Sequence, residues 1–393
     1  MSSRVASVRD AVSKVAGPGA QNCENALSIY VHVPYCAVRC GYCDFNTYTS
    51  TRGRESYQVG VRSELDLAVQ VLGGAPPVPT VFFGGGTPTV LDAADLCGML
   101  DAIRTRFPVT GDAEITTEAN PETLSAGYVA ALAAAGFTRL SLGMQSAAPA
   151  VLATLDRRHT PGRVAQAVGW ARDAGLDVSV DLIYGSPGET AADWRASLDA
   201  AVALGVDHVS AYALTIEPGT PIAARVAQGE LVPADDAVQA DDYELADAVL
   251  GAAGYRWYEI SNWAKPGHEC RHNLAYWRSG DWWGVGPGAH SHVAGVRWWN
   301  VRQPRDYAAR LAAGESPAAG QEVLDDATRR VERVLLEIRL VDGLDAGVLT
   351  PSERGRLDQI VARGWAVLGD DDRLRLTLRG RLMADALVRD LLD

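Results

Sequence analysis

Three cysteines stand within eight residues, in the run Tyr30-Val-His-Val-Pro-Tyr-Cys36-Ala-Val-Arg-Cys40-Gly-Tyr-Cys43-Asp-Phe-Asn46. The spacing, C-x3-C-x2-C, suits thiolates that converge on one inorganic centre. A cubane [4Fe–4S] cluster is held by Cys thiolates, normally one for each iron. Three close thiolates therefore hold three irons and leave the fourth open to an exchangeable ligand. The amino and carboxylate groups of S-adenosylmethionine can chelate that iron, and an electron passed through the cluster can then cleave the sulfonium to a deoxyadenosyl radical. Two other readings compete: a three-sulfur zinc site completed by His32 or another histidine, and a chance grouping of buried free thiols. Cys23, Cys97 and Cys270 are isolated, so no second cysteine pair supports zinc, and six cysteines in 393 residues are too sparse for a disulfide framework.

Further polar groups recur where apolar runs end. Val81-Phe-Phe runs into Gly84-Gly85-Gly86-Thr87-Pro-Thr, and successive glycines let a backbone approach a ligand and aim its N–H groups at a carboxylate. Glu118 ends another run, as a partner for an ammonium or a ribose hydroxyl. Gly143-Met-Gln145 and Asp181-Leu-Ile-Tyr-Gly follow two more. Each alone is weak; their recurrence at successive strand ends is the signal, because parallel α/β folds bind ligands at the C-terminal ends of their strands.

The elements that position these groups read as βα units. Strands are expected at 28–33, 80–83, 113–119, 139–142, 177–183 and 207–212, with helices at 55–72, 93–106, 123–135, 161–174 and 191–204. Gly136 and Gly175 fall where helix C-termini call for a left-handed residue. Six units in series imply a parallel sheet with helical crossovers, and periodicity does not decide between a partial barrel and a doubly wound sheet. A different composition begins near Glu217. Seven of the ten tryptophans fall between Tyr255 and Trp299, a Pro/Ala/Gly stretch at 312–320 reads as a linker, and the last segment has the order helix, helix, short strand pair, helix of a winged-helix-like module. The chain thus divides into a mobile leader (1–26), the βα region (27–216), an aromatic-rich region (217–311) and a small C-terminal α+β unit (312–393).

Composition bounds the function. Asp plus Glu outnumber Lys plus Arg by 49 to 36, a net charge of -13, which argues against a broad nucleic-acid surface and for a packing role of the winged-helix-like module. No apolar stretch is long enough to span a membrane, and the N-terminus carries no apolar signal segment, so a cytoplasmic location is expected.

Taken together, the cysteine loop after YVHVP, GGGTPT, EANP, LGMQS and DLIYG resemble the radical S-adenosylmethionine proteins of the oxygen-independent coproporphyrinogen III oxidase family, over about residues 28–393. The resemblance implies a partial (β/α)6 TIM-like barrel. It implies that Cys36, Cys40 and Cys43 ligate the cluster and that Tyr30, Tyr42, Gly85, Gly86, Thr87, Glu118, Gln145, Arg157, Asp181 and Ala213 contact S-adenosylmethionine. Near His290 the residue type departs from the oxidases, and no contact is assigned there. The true oxidases carry a fourth cysteine two residues after the third; here that position is Phe45, in Cys43-Asp-Phe45-Asn46. The haem-chaperone class of the family has CDFN at this point and HNxxYW later, and this chain has His272-Asn273-Leu-Ala-Tyr276-Trp277.

From the residues alone, His272 is a candidate axial ligand for haem iron, Tyr276 shares its helix face, and the Trp-rich stretch offers flat apolar surface. Core packing by these aromatics is the competing reading; the family motif favours haem binding by His272, Asn273, Tyr276 and Trp277. The resemblance implies haem, a haem-acceptor protein and room for a homodimer as partners. Two functions compete: haem chaperone, and oxidative decarboxylation of coproporphyrinogen III, which ranks second because Phe45 offers no thiolate. Nucleic-acid binding by the C-terminal module is the weakest reading.

Overall fold

The computed structural model describes residues 26–157, 160 and 162–392; nearly all of the expected leader lies outside the described residues. Six strands, β1 (Leu27–Val33), β2 (Val78–Gly85), β3 (Val109–Ala119), β4 (Arg139–Gln145), β5 (Asp177–Tyr184) and β6 (His208–Ala213), pair in parallel in chain order. An unbroken order without a reversal is the winding of a barrel, so the choice left open by periodicity falls to a partial (β/α)6 barrel. Each strand is two-sided. Ile29, Val31, Val81, Phe83, Leu140, Leu142, Val178 and Val180 face the helices and are fully buried. The helices bury matching stripes: Arg54–Leu72 buries Tyr57, Val61, Glu64, Leu65 and Ala68, one face at helical spacing.

Local chemistry sets the boundaries. Thr190 and Asp193 form a reciprocal capping box that starts helix Ala191–Leu204. Gly136 and Gly175 end their helices at φ +89° and +77°, as the sequence requires. The helix expected at 123–135 starts later, at Ala126–Ala134, because Ser125 caps its start; a 3₁₀ turn capped by Asn120, Pro121–Thr123, precedes it.

Strands beyond the barrel extend the same sheet at both edges. β7 (Arg256–Glu259) and β8 (Asn262–Ala264) add antiparallel beside β6. On the other side β9 (Asp281–Val285) pairs parallel to β1, followed by antiparallel β10 (His290–Val293), β11 (Val296–Asn300) and β12 (Ala318–Val323). Residues 318–320, read from composition as linker, are thus part of a strand. Their small side chains have a packing reason: a Cβ on Gly320 would lie 2.5 Å from the Trp299 ring.

The C-terminal unit is a three-stranded antiparallel sheet of β13 (Leu344–Asp345), β14 (Ala366–Leu368) and β15 (Arg373–Leu376), in the order β13-β15-β14. Helices Asp326–Glu337, Leu357–Ala362 and Ala384–Leu392 close its own core around Val334, Ile338, Leu357, Leu374 and Leu387. It joins the barrel through Arg381, which pairs with Asp247 in two bonds of 2.8 and 2.9 Å and lies 4.4 Å over the Trp257 ring.

One buried carboxylate pins the β9–β12 extension to the barrel. Glu64 accepts from the Gly286 N–H (2.8 Å), the Asn300 amide (2.7 Å) and the Tyr307 hydroxyl (2.6 Å), and burial pushes its carboxyl up to about 7. Replacing Glu64 by Ala leaves three buried donors without an acceptor. The expected loss is about 3 kcal/mol of stability, read as a lower urea midpoint.

Candidate functional site

The barrel interior follows from the period-two alternation of its strands. The inward rows are Tyr30 and His32 on β1, Phe82 and Gly84 on β2, Glu114, Thr116 and Glu118 on β3, Arg139, Ser141 and Gly143 on β4, Ser179 and Asp181 on β5, and His208, Ser210 and Tyr212 on β6. Most of them, with the cysteine loop as a lid, line a cavity of about 630 Å³.

The loop between β1 and helix Arg54–Leu72 brings Cys36, Cys40 and Cys43 to the mouth of this cavity. Its backbone is held at both ends: Cys36 N–H donates to Tyr48 O at 3.0 Å and Gly41 N–H to Leu155 O at 3.2 Å. A Cβ on Gly41 would meet the Asp156 carboxylate at 2.4 Å, so glycine lets the loop pass. The Thr87 hydroxyl lies 3.7 Å from Cys36 Sγ, and the Arg157 guanidinium reaches Cys40 Sγ at 3.4 Å while donating to Gly143 O at 3.1 Å. Burial pushes the Cys36 and Cys43 thiols up, so cations or metal are needed to hold them as thiolates. Phe45 projects from the loop, 63% exposed, and lines the same mouth.

The donor set bears on the choice of inorganic centre. His32, the proposed fourth zinc ligand, is engaged elsewhere: its Nε2 donates to Asn46 O at 3.0 Å and its Nδ1 accepts from Tyr30 at 3.2 Å. Three thiols at one cavity mouth suit a cubane with one iron left open.

Beside the loop the backbone makes a cradle. Gly85, at φ +102°, donates its N–H to Glu118 at 3.1 Å. A Cβ on Gly86 would lie 2.5 Å from Tyr35 O, which only glycine avoids. Gln145, at φ +67°, is a left-handed non-glycine residue, and Asp181 accepts from Ser141 at 3.2 Å. Burial, and then the charge of Asp181, pushes Glu118 up to about 8. Tyr30, Tyr42, Gly85, Gly86, Thr87, Glu118, Gln145, Arg157, Asp181 and Ala213 all line this one cavity with the cysteines.

The HNxxYW segment forms helix Arg271–Trp277, whose N-terminus is capped by Glu114 accepting from the N–H groups of Arg271 and His272, both at 2.9 Å. His272 is 2% exposed. Its Nδ1 bonds Thr80 at 2.9 Å; since Thr80 donates onward to Ser28, Nδ1 is the donor there, and Nε2 accepts from Tyr276 at 2.9 Å. Burial pushes this imidazole down to about 3. The lone pair that haem iron would need is therefore committed, so in this arrangement His272 is not presented as an axial ligand. Asn273 bonds Glu259 at 2.9 Å and Tyr276 reaches the cavity, while Trp277 is half-buried away from it. Arg139, His208, Ser210, Tyr212 and Tyr258, which no sequence motif singled out, also line the cavity. The polar residues at every second strand position, such as Arg139-x-Ser141 and His208-x-Ser210, were the available signal.

A parallel partial barrel with a three-cysteine loop after its first strand and a glycine ridge after its second defines a radical S-adenosylmethionine protein, and the model of the radical SAM superfamily matches residues 30–201. The coproporphyrinogen III oxidase (HemN) of Escherichia coli, a radical SAM enzyme, shares the fold, with a TM-score of 0.82 at 22% identity over 98% of this chain and 92% of that one. The heme chaperone HemW of Mycobacterium tuberculosis is 52% identical over 93% of this chain and 95% of its own length, and that of Escherichia coli 34% identical over 92% and 97%. The chain belongs to the heme chaperone HemW family.

The raised Glu118 carboxyl gives a pH dependence with a definite sign. Between about pH 4.5 and 8 the unfolded chain ionises this group and the folded chain does not, so stability falls as pH rises through that window and levels off above about 8. Urea midpoints of the nucleotide-free protein across the window should decline more steeply for wild type than for Glu118→Gln; parallel slopes would contradict the assignment.

Proposed function

We propose that this chain is a haem chaperone that binds haem and passes it to an acceptor protein, with a [4Fe–4S] cluster on Cys36, Cys40 and Cys43 and S-adenosylmethionine exchangeable at the open iron. The observation that carries the reading is the end-to-end likeness to heme chaperone HemW proteins in a chain whose three cysteines share one cavity with the glycine ridge. When bound, the cluster supplies one-electron reduction at the sulfonium. The protein's residues do the rest. Arg157 offsets thiolate charge at Cys40. Gly85 and Gly86 let the backbone come close, and Thr87 steadies Cys36. Glu118 faces the ammonium or ribose, with Asp181 and Gln145 beside it, Tyr30 and Tyr42 as apolar walls, and Ala213 at the end of β6.

In this reading His272 and Asn273 act as supports. They hold helix Arg271–Trp277 against β2 and β7 and so fix Tyr276. Cytoplasmic placement is supported by a site that needs reduced thiols; among the described residues, no helix is long and apolar enough to cross a membrane.

Anaerobic reconstitution of the full chain tests both halves. Wild type should hold iron and sulfide and, with added haem, develop a Soret band. Cys43→Ala should lose the iron and sulfide. Zinc in their place, no haem binding, or protoporphyrinogen formation from coproporphyrinogen III at enzyme-like rates would each sink the proposal.

A further inference from the structure

A second cavity, of about 850 Å³, lies on the flank of the barrel between β9–β10 and helix Asp326–Glu337 of the C-terminal unit. Its size is within the ~300–1,000 Å³ usual for cofactor sites. Resting on the haem-chaperone reading above, we infer that haem is carried here, its iron facing the imidazoles of His290 and His292 and its propionates facing Arg329 and Arg333.

The walls have the chemistry of a flat, apolar dianion with a metal at its centre. Trp282 and Tyr276 meet edge to face at 4.8 Å, and the indole is fixed by its N–H donating to His290 O at 2.9 Å. Leu324, Leu336 and Val348 supply the apolar side. His290 and His292 are two apart on β10 and so project to the same face. His292 packs against Trp282, ring centres 5.2 Å apart, with Nδ1 3.4 Å from Gly280 O and 3.5 Å from the Asp281 carboxylate. A carboxylate or carbonyl on Nδ1 that leaves Nε2 free is the usual setting of a metal-ligating histidine. Among the described residues the ring of His290 makes no hydrogen bond, and it is exposed on the cavity wall. Both contrast with His272, whose two nitrogens are already engaged.

The cations are sorted in the same way. Arg297 is held by Glu322 and Glu332, and Arg330 by both oxygens of Glu353. Among the described residues Arg329 pairs only with Asp326, at 4.0 Å, and Arg333 pairs with Glu337 through one nitrogen at 2.7 Å. These two guanidinium groups, one turn apart on the helix that covers the cavity, retain donors for carboxylates. Tyr30 and Tyr276 line both cavities, so the carried ligand would sit one side chain away from the nucleotide chamber.

The test is a haem titration of the reconstituted full chain, read by the Soret band, with cluster absorbance as the check on folding. His290→Ala/His292→Ala should weaken binding at least about tenfold and shift the band, whereas iron-free protoporphyrin, which needs no ligand, should bind it as it binds wild type. Arg329→Glu should weaken both haem and protoporphyrin by about tenfold. If wild type binds haem and the β10 double variant binds it equally, the flank site is wrong while the chaperone reading stands. Should wild type bind none, both fall. If the double variant loses its cluster, Arg329→Glu decides alone: weaker binding supports the site, and unchanged binding overturns it.

Discussion

The Arg157 guanidinium lies between Cys40 and the β4 carbonyl of Gly143, in a chamber that also encloses Glu118, Asp181 and Arg139. Charge taken out of water has to be matched nearby or given up as a proton. Both solutions are present. Arg157 meets thiol, Arg139 donates to His268 O at 2.8 Å, and Glu118 keeps its proton near neutrality. The rest of the architecture serves this balance. Six strands supply inward rows, the helices seal the outer faces with Val, Ile and Leu, and the edge strands close the flanks that an incomplete barrel leaves open.

The same balance explains what was legible in the sequence. The six barrel strands and their crossover helices were readable because their outward faces are continuous apolar rows. The cysteine loop stood out by its spacing, while its chemistry came from the family resemblance. Strand β12 was not, since the small residues that admit Trp299 look like linker. The true lengths of β2 and β3 were also hidden: they begin at Val78 and Val109, where proline and glycine neighbours suggest turns. The later start of the third expected helix lay in a capping side chain, Ser125, that a hydrophobic pattern does not weigh.

For the candidate site, spacing identified the groups at the strand ends and missed those on the floor. Arg139 and His208 lie at the starts of their strands, and only the closed curvature of the sheet carries them under the glycine ridge. His272 shows the opposite limit. The residue type and motif point to iron, and the local hydrogen bonds point to a neutral support. A motif fixes which side chains travel together and leaves undetermined which lone pairs are free once the chain has folded.

Asn46, the last residue of CDFN, joins two parts of the molecule that are distant in sequence. Its amide donates to Pro287 O at 3.0 Å and Arg302 O at 2.9 Å, and its own carbonyl accepts from His32. Tyr48 of the same loop also donates to Arg302 O at 3.1 Å, so the cysteine loop and the approach to β10 are tied together. A displacement of the loop at Asn46 would be felt directly at the Pro287 and Arg302 carbonyls that flank β10 and β11.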